Sequence, residues 1–278
     1  ISLGAMVGSG IFVLPGLGYF LAGPAIILAY FLAGVVVLPA AFSKSEMATA
    51  MPHAGGTYLY IDRAMGPLMG TIAGFGVWFS LIFKAAFALV GLSVYLQLLI
   101  PDAPAKPVAL GLAAVLIAVN VVGVKQSGTL QAAIVSIVMT VLVLFIVAGF
   151  GSIETGNYQP FMPEGIHGLI AATGLVFVSY AGVTKVASLA EEVKRPARNL
   201  PRAIFLSLVL MMFLYPAIVF VIVGVTPGAE LSIDLTPLAT AASLLLGRSG
   251  ELAIAGIAVL ALVSMANAGI LASSRYPF

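Results

Sequence analysis

Two stretches of small and polar residues interrupt long apolar runs, and they are the parts of the sequence best suited to chemistry. Residues 8–12 read Gly-Ser-Gly-Ile-Phe and are followed by Pro15 and Gly16. Residues 173–185 contain Thr-Gly, then Phe-Val-Ser-Tyr-Ala-Gly, then a lysine. Glycine costs about 1 kcal/mol in a helix interior, and proline removes a backbone donor. Both stretches therefore predict unwound backbone with free N–H and C=O groups.

The two interruptions allow two interpretations. The free groups could bind a small solute, because helix N-termini attract a carboxylate and free carbonyls accept from an ammonium group; an amino acid offers both. Alternatively, the small residues only let helices pack closely, as in GxxxG pairs. Two interrupted helices five spans apart match an inverted repeat of five plus five helices, and this favours a transporter's binding site.

The elements that carry these stretches are membrane helices. Hydrophobic residues make up 62% of the 278-residue chain and charged residues only 8%, against about 25% charged in soluble domains. Charge-free runs cover residues 1–43, 107–124, 126–153, 165–184, 203–229 and 252–274. Runs of about 18 or more apolar residues can cross a bilayer as helices. The composition predicts an all-α polytopic membrane protein.

The polar inventory argues against several functions. With no cysteine, disulfides and thiolate metal sites are excluded, and His53 and His167 are too far apart to suggest a metal site. The net charge is only +2 and the sequence has no cluster of basic residues that would indicate a nucleic-acid-binding surface. In the predicted spans Asp and Glu occur only as the end residues Glu191 and Glu251, so an intramembrane enzyme would lack its paired acids. We predict no metal, no cofactor and no enzymatic activity; the oligomeric state is not readable.

Glycine and proline clusters divide the apolar runs into eight predicted spans. Residues 236–247 are too short to span and are predicted to form a helix at the surface. The third span is longer than a bilayer is thick and should tilt or protrude. The predicted spans are 1–20, 24–42, 66–100, 107–124, 128–150, 166–191, 202–226 and 251–275.

The loop charges predict how these spans are oriented. Lys106 and Arg248 fall on one side of the membrane, and eight basic residues fall on the other. The positive-inside rule then places the N-terminus in the cytoplasm of a multi-pass protein of the cell membrane. The eight are Lys44, Arg63, Lys125, Lys194, Arg195, Arg198, Arg202 and Arg275.

Five motifs resemble those of the amino acid–polyamine–organocation (APC) superfamily of permeases. They are GSGIF at 8–12, PHAGGTYLYIDRAMGP at 52–67, FVSYAG at 177–182, EEVKRPARNLPRA at 191–203 and NAGILASSR at 267–275. They keep the family order over essentially the whole chain. The resemblance implies one transmembrane domain built from two five-helix repeats of opposite topology. The first would be residues 1–150 and an incomplete second residues 151–278, a permease truncated to about its first eight helices.

The resemblance also implies a substrate site. The Ser9 hydroxyl and the Gly10 N–H would meet the substrate carboxylate. The carbonyl of Met6 and those near Val178 and Ala181 would accept from the α-ammonium group. The predicted set is Met6, Ser9, Gly10, Ile11, Phe177, Val178, Tyr180, Ala181 and Gly182.

Two aromatic members of this set, Phe177 and Tyr180, would line or gate the pocket, although aromatic residues in a helix are also common packing residues. With no acid in the interior of any predicted span, a neutral or small apolar amino acid is favoured over a cationic one. A carrier of polyamines or inorganic ions, and a receptor-like protein that binds without transport, are the alternatives.

Lys84 lies near the middle of the third predicted span, where a charge costs at least about 2.5–3.5 kcal/mol on insertion scales. A lysine that faces the helix bundle could exchange a proton and couple transport to it, or replace a sodium ion. Alternatively it snorkels or pairs with a carbonyl. Lys185 is a second candidate, weighed evenly against a structural role.

One departure from the family pattern leaves the coupling ion open. Several proton-coupled members carry a lysine in the fifth span, and here residues 128–150 contain no charge. Either Lys84 takes over that work, or the protein exchanges substrates without an ion. Sodium coupling would need oxygen ligands such as those of Ser264 and Asn267, which more often bond a neighbouring helix. We predict proton coupling or exchange ahead of sodium.

Overall fold

The computed structural model describes residues 2–50, 56–122, 128–183 and 195–275, and within these ranges the chain is helical and contains no β-strand. Seven segments there are long and apolar enough to cross a membrane. They are Leu14–Met47, Pro67–Leu99, Ala105–Val122, Ala132–Phe150, Gly165–Val183, Arg198–Val225 and Pro237–Ser274. The predicted all-α, multi-pass membrane protein is confirmed.

Twelve α-helices follow one another along the described residues. They are α1 (Ser2–Met6), α2 (Ser9–Phe12), α3 (Leu14–Ala22), α4 (Ile26–Ala50), α5 (Gly56–Met65), α6 (Pro67–Leu99), α7 (Ala105–Val122), α8 (Gly128–Phe150), α9 (Gly165–Val176), α10 (Pro196–Val225), α11 (Gly228–Leu231) and α12 (Pro237–Arg275). Short 3₁₀ helices occupy Gly23–Ala25 and Thr155–Tyr158.

The first apolar segment, Leu14–Met47, folds back on itself. Gly23 has a φ of 59°, which favours glycine, and Pro24 follows it. The Tyr30 hydroxyl donates to the Gly10 carbonyl at 2.5 Å, whereas a continuous helix would hold residues 20 apart at about 30 Å. The segment therefore joins the predicted spans 1–20 and 24–42, and the first of them is built from α1, α2 and α3.

Two antiparallel helix pairs flank this broken first helix. In one, Trp78 Nε1 donates to the Ser273 carbonyl at 3.0 Å, and Arg248 Nη2 donates to the Leu98 carbonyl at 2.7 Å, so α6 and α12 run in opposite directions. In the other, Phe42 of α4 packs on Phe205 of α10 and Phe31 packs on Phe213, with ring centroids 4.5 and 6.3 Å apart, so these helices also run in opposite directions. α6, with 33 residues, is about 50 Å long.

The predicted short helix at 236–247 is present, and it is less superficial than expected. α12 bends at Gly247, whose φ of 65° and ψ of −158° are not helical, so residues 237–246 form a separate arm. Four apolar residues of that arm are buried: Leu238, Ala239, Ala241 and Ala242. The arm therefore packs one side into the bundle, because a row of small residues allows close approach.

Three loops gather at one end of the bundle, which we call the acidic end: residues 100–104, 151–164 and 226–236. The Glu154 N–H donates to the Gly224 carbonyl at 2.9 Å, which joins the second loop to the end of α10. Arg248, bonded to Leu98, also pairs with Glu251 at 2.8 Å. The structure therefore brings together three loops that carry half of the ten acidic residues.

Candidate substrate site at the broken first helix

The first helix is interrupted twice, between α1 and α2 and again at Val13, and the whole stretch is buried. Its glycines are needed because other elements come close. A Cβ atom on Gly8 would overlap Met265 Sδ, and one on Gly10 would lie 2.6 Å from Ser179 Cβ. Since real Cβ contacts are not that short, α12 and the sixth span could not approach if these positions carried side chains.

Three tyrosine hydroxyls cover the carbonyls that the interruptions release; we call them the tyrosine caps. Tyr215 donates to the Met6 carbonyl at 2.9 Å, Tyr30 to the Gly10 carbonyl at 2.5 Å and Tyr95 to the Phe12 carbonyl at 2.7 Å. Each comes from a different helix: α10, α4 and α6. In a membrane no water reaches such groups unless a cavity admits it, so these side chains are what makes the break tolerable.

The donors of Ser9 meet a much weaker partner. The Ser9 N–H lies 3.3 Å from Met265 Sδ, and the Ser9 hydroxyl lies 3.6 Å from the same sulfur. A thioether is a weak acceptor, whereas a carboxylate oxygen is a strong, charge-assisted one. The Ser9 N–H and hydroxyl are thus held by the Met265 sulfur. A carboxylate could take the place of that sulfur and would form stronger hydrogen bonds with both donors.

The sixth span is also interrupted, and its interruption lies against that of the first. The α-helix ends at Val176, and residues 177–183 continue in 3₁₀ geometry. Runs of 3₁₀ helix longer than three or four residues are uncommon and often mark a functional hinge. The Ser179 hydroxyl donates to the Gly10 carbonyl at 3.3 Å, which joins the two interrupted regions directly.

A cavity of about 460 Å³ opens where these regions meet α6 and α12. Five of the residues selected from the sequence line it: Met6, Ser9, Gly10, Val178 and Lys84. The others are Leu14, Ser80, Phe83, Ala86, Phe87, Val90, Leu175, Ser179 and Met265. The walls are therefore mostly apolar, with polar groups concentrated near the first-helix break and on α6.

The remaining residues of the predicted substrate set lie outside this lining. Ile11 is completely buried. Tyr180 is also buried, with its hydroxyl donating to the Tyr30 carbonyl at 2.9 Å and its ring edge-on to Tyr215. Phe177 is 39% exposed. Ala181 is half-buried and Gly182 is buried. Their contact with a substrate stays a prediction.

Lys84 lies at the depth of the first-helix break. Its neighbour Ala85 is in contact with Gly269 of α12, one turn from Met265. Ser80 is on the same face of α6, four residues earlier. Among the described residues that line the cavity, Lys84 is the only one with a charged side chain.

Two of the other coupling candidates, Ser264 and Asn267, are not among the described residues that line the cavity. Asn120 of α7 donates to Asn267 Oδ1 at 2.6 Å, so Asn267 bonds a neighbouring helix. Ser264 is half-buried on α12. Lys185 lies outside the described residues, as do residues 52–55 and 191–194 of two motifs.

Sequence reasoning did not select several residues on which the site depends. The tyrosine caps could have been suspected, because a tyrosine inside an apolar span must find a partner for its hydroxyl. Ser179 lies in the FVSYAG motif at 177–182 but is not part of the predicted substrate set. Met265 gave no indication, since a methionine in a membrane helix looks like ordinary packing.

Comparison with known proteins gives a consistent result. A family model described as amino acid permease matches residues 1–277. The branched-chain amino acid permease BcaP of Bacillus subtilis is 31% identical over 92% of this chain and 59% of its own length. The methylthioribose transporter of the same organism is 31% identical over 84% and 55%, and cationic amino acid transporter 1 of Arabidopsis thaliana is 31% identical over 77% and 39%.

The chain thus spans between about two fifths and three fifths of the length of these relatives. All three are named as permeases or transporters, and their named substrates differ from one another. The match to the family extends over both interrupted helices and over every helix that contributes to the cavity. The chain therefore belongs to the amino acid permease family.

Proposed function

We propose that the protein is a secondary transporter that moves an amino acid across the cell membrane by alternating access, with its N-terminus in the cytoplasm. The observation that carries this proposal is the cavity in which two interrupted helices meet. There, interrupted helix backbone and apolar walls occur together, an arrangement that suits a zwitterion with an apolar side chain.

In the proposed complex, the substrate carboxylate displaces Met265 from Ser9 and accepts from the Ser9 N–H, the Ser9 hydroxyl and the Gly10 N–H. The α-ammonium group approaches the Met6 carbonyl and the carbonyls near Val178 and Ala181. The Met6 carbonyl already accepts from Tyr215, but a carbonyl oxygen has two lone pairs and can accept a second bond. The substrate would therefore bridge the two interrupted helices.

We infer a neutral, apolar amino acid as the substrate. Phe83, Phe87 and Leu175 supply apolar walls, and the described lining contains no Asp or Glu. The Lys84 charge would repel a cationic side chain, and a polyamine would find no counter-ion. In this respect the cavity suits a substrate like that named for the branched-chain permease better than one like that named for the plant cationic transporter.

We further propose that residues 1–150 and 151–278 are the first repeat and part of the second in a five-plus-five inverted-repeat fold. The support is the matching position of the two interruptions, one in the first helix of each part. Each interrupted helix would belong to its own repeat. A rocking movement of one repeat against the other would then change access to the cavity while the substrate stays between the two interrupted helices.

Lys84 is our candidate for coupling. An arriving carboxylate would stabilise its charged form, and departure of the substrate would favour release of the proton, so that proton and substrate cross together. If Lys84 keeps its proton throughout, the same site would support exchange. The bond between Asn120 and Asn267 supports a helix-to-helix role for Asn267 rather than a sodium site.

The test is uptake of labelled leucine and arginine into proteoliposomes holding the full-length protein, with and without an inward proton gradient. We expect concentrative leucine uptake that needs the gradient and is lost in Lys84→Met but kept in the control Arg202→Met, at an exposed position near the start of α10. Uptake only into vesicles preloaded with amino acid would favour exchange. Binding without uptake would favour a receptor-like protein, and preference for arginine would contradict the inferred substrate class.

A further inference from the structure

A second cavity, of about 360 Å³, lies between α6 and α7. Val90 and Val94 of α6 form one wall, and Ala109 and Leu110 of α7 form the other. Lys106 is the only charged residue in its described lining. The cavity is thus an apolar groove with a single cation, and it is distinct from the substrate cavity, with which it shares Val90.

The groove has the position and length of an acyl chain in one leaflet. α6 ends at Leu99 and α7 begins at Ala105, so Lys106 lies at the acidic end, where the spans leave the membrane. Val90 is nine residues from the end of α6, about 13 Å along the helix axis. One leaflet contributes about 15 Å of hydrocarbon, so the groove extends through most of it.

The charge at the mouth decides which lipid fits. Lys106 is exposed, and the ion pair found among the described residues, Arg248 with Glu251, does not involve it. Its ammonium group is therefore available to a phosphate. Asp102 lies four residues earlier, also exposed, so the local positive charge is small and suits a headgroup with one negative charge rather than several.

We propose that the groove between α6 and α7 binds one acyl chain of a singly charged anionic phospholipid, whose phosphate contacts Lys106. If the groove were empty, the side chains that line it would lack van der Waals contacts with a packing partner on that side. α7 particularly needs such a partner, since none of its residues is fully buried. Because Val90 belongs to both cavities, the lipid would support the wall of the substrate cavity from behind.

The test uses the purified full-length protein in phosphatidylcholine nanodiscs, with a trace of phosphatidylglycerol or phosphatidylcholine that carries a photoactivatable acyl chain. Labelled peptides are mapped by mass spectrometry. We expect phosphatidylglycerol to label residues 90–94 and 105–110 about fivefold more than phosphatidylcholine, the preference expected from one lysine at a membrane surface. Lys106→Gln should remove the preference, whereas Arg248→Gln, at the same end of the bundle, should keep it.

A second variant separates the groove from its charge. Ala109→Phe fills the groove and should abolish labelling by both probes, whereas Ala114→Phe, on an exposed part of α7, should not. Equal labelling of the unmodified protein by the two probes would overturn the proposal, as would label found elsewhere on the protein but not at residues 90–94 and 105–110. Labelling is measured without transport, so its failure would leave the proposed transport function untouched.

Discussion

Each tyrosine cap compensates for one carbonyl that a continuous helix would have satisfied. Tyr30, Tyr95 and Tyr215 are fully buried and reach the first helix from three sides. A buried polar group without a partner costs about 1–3 kcal/mol. At the scale of single residues, the interrupted helix is therefore held by hydroxyl groups, and removing one should be measurable.

Tyr215→Phe should lower the free energy of unfolding by about 1–3 kcal/mol, because it removes the donor to the Met6 carbonyl and leaves that oxygen buried. Thermal unfolding in detergent would measure the loss. Tyr60→Phe is the matched control, since the Tyr60 hydroxyl is buried and has no hydrogen-bond partner in the described structure; it should be neutral or stabilising. Equal losses in the two variants would contradict the capping role.

Met265→Leu should lower the KM for a neutral amino acid about two- to fivefold, because it removes the acceptor that holds Ser9 while nearly conserving volume. The substrate carboxylate would then have no competitor for the Ser9 donors. Met139→Leu on α8 is the control. Initial rates of uptake over a range of concentrations provide the measurement, and a KM that is unchanged or raised would show that the sulfur contact does not oppose binding.

At the scale of elements, the loop at 226–236 rests directly on α3. A Cβ atom on Gly16 would overlap the carbonyl oxygen of Asp234, so Gly16→Ala should push the loop away. We expect lower thermal stability and slower uptake. Gly256→Ala on α12 has open space around it and should be neutral or slightly stabilising. Comparable stability of the two variants would show that the loop can shift without cost.

The 3₁₀ helix Thr155–Tyr158 docks on α10 through Tyr158, which donates to the Phe220 carbonyl at 2.9 Å and stacks on its ring. Burial raises the pKa of Tyr158 to about 12. Between pH 10 and 12 the unfolded chain loses this proton while the folded protein keeps it, so stability falls as pH rises. Tyr158→Phe should lessen that fall in thermal unfolding, whereas Tyr58→Phe, at an exposed site, should not.

The positions of the interruptions could be predicted, but their contacts could not. Gly8, Gly10 and Pro15 act through the local backbone, so their effect is visible in the sequence. Which side chains reach that backbone depends on how α4, α6, α10 and α12 pack, and apolar helices in lipid show little periodicity to indicate a facing side. For the same reason, the burial of residues 237–246 was missed.

At the scale of the whole molecule, the grouping of loops at the acidic end agrees with the partition of charges used to orient the chain. Residues 1–278 contain no cysteine, so a single cysteine introduced among them can report the orientation. In intact cells, Ser152→Cys should react with a membrane-impermeant maleimide, and Ala64→Cys should react only after the membrane is opened. Labelling of both from outside, or of Ala64→Cys alone, would reverse or refute the proposed orientation.

The tyrosine caps also determine what the first helix needs in order to move. Its carbonyls are bonded to α4, α6 and α10 at once, so a tilt toward one of these helices stretches the bonds to the others. Water is the small donor that can replace a departing hydroxyl. A change of access would therefore draw water into the core, and the rate of the cycle would depend on water activity on both sides of the membrane.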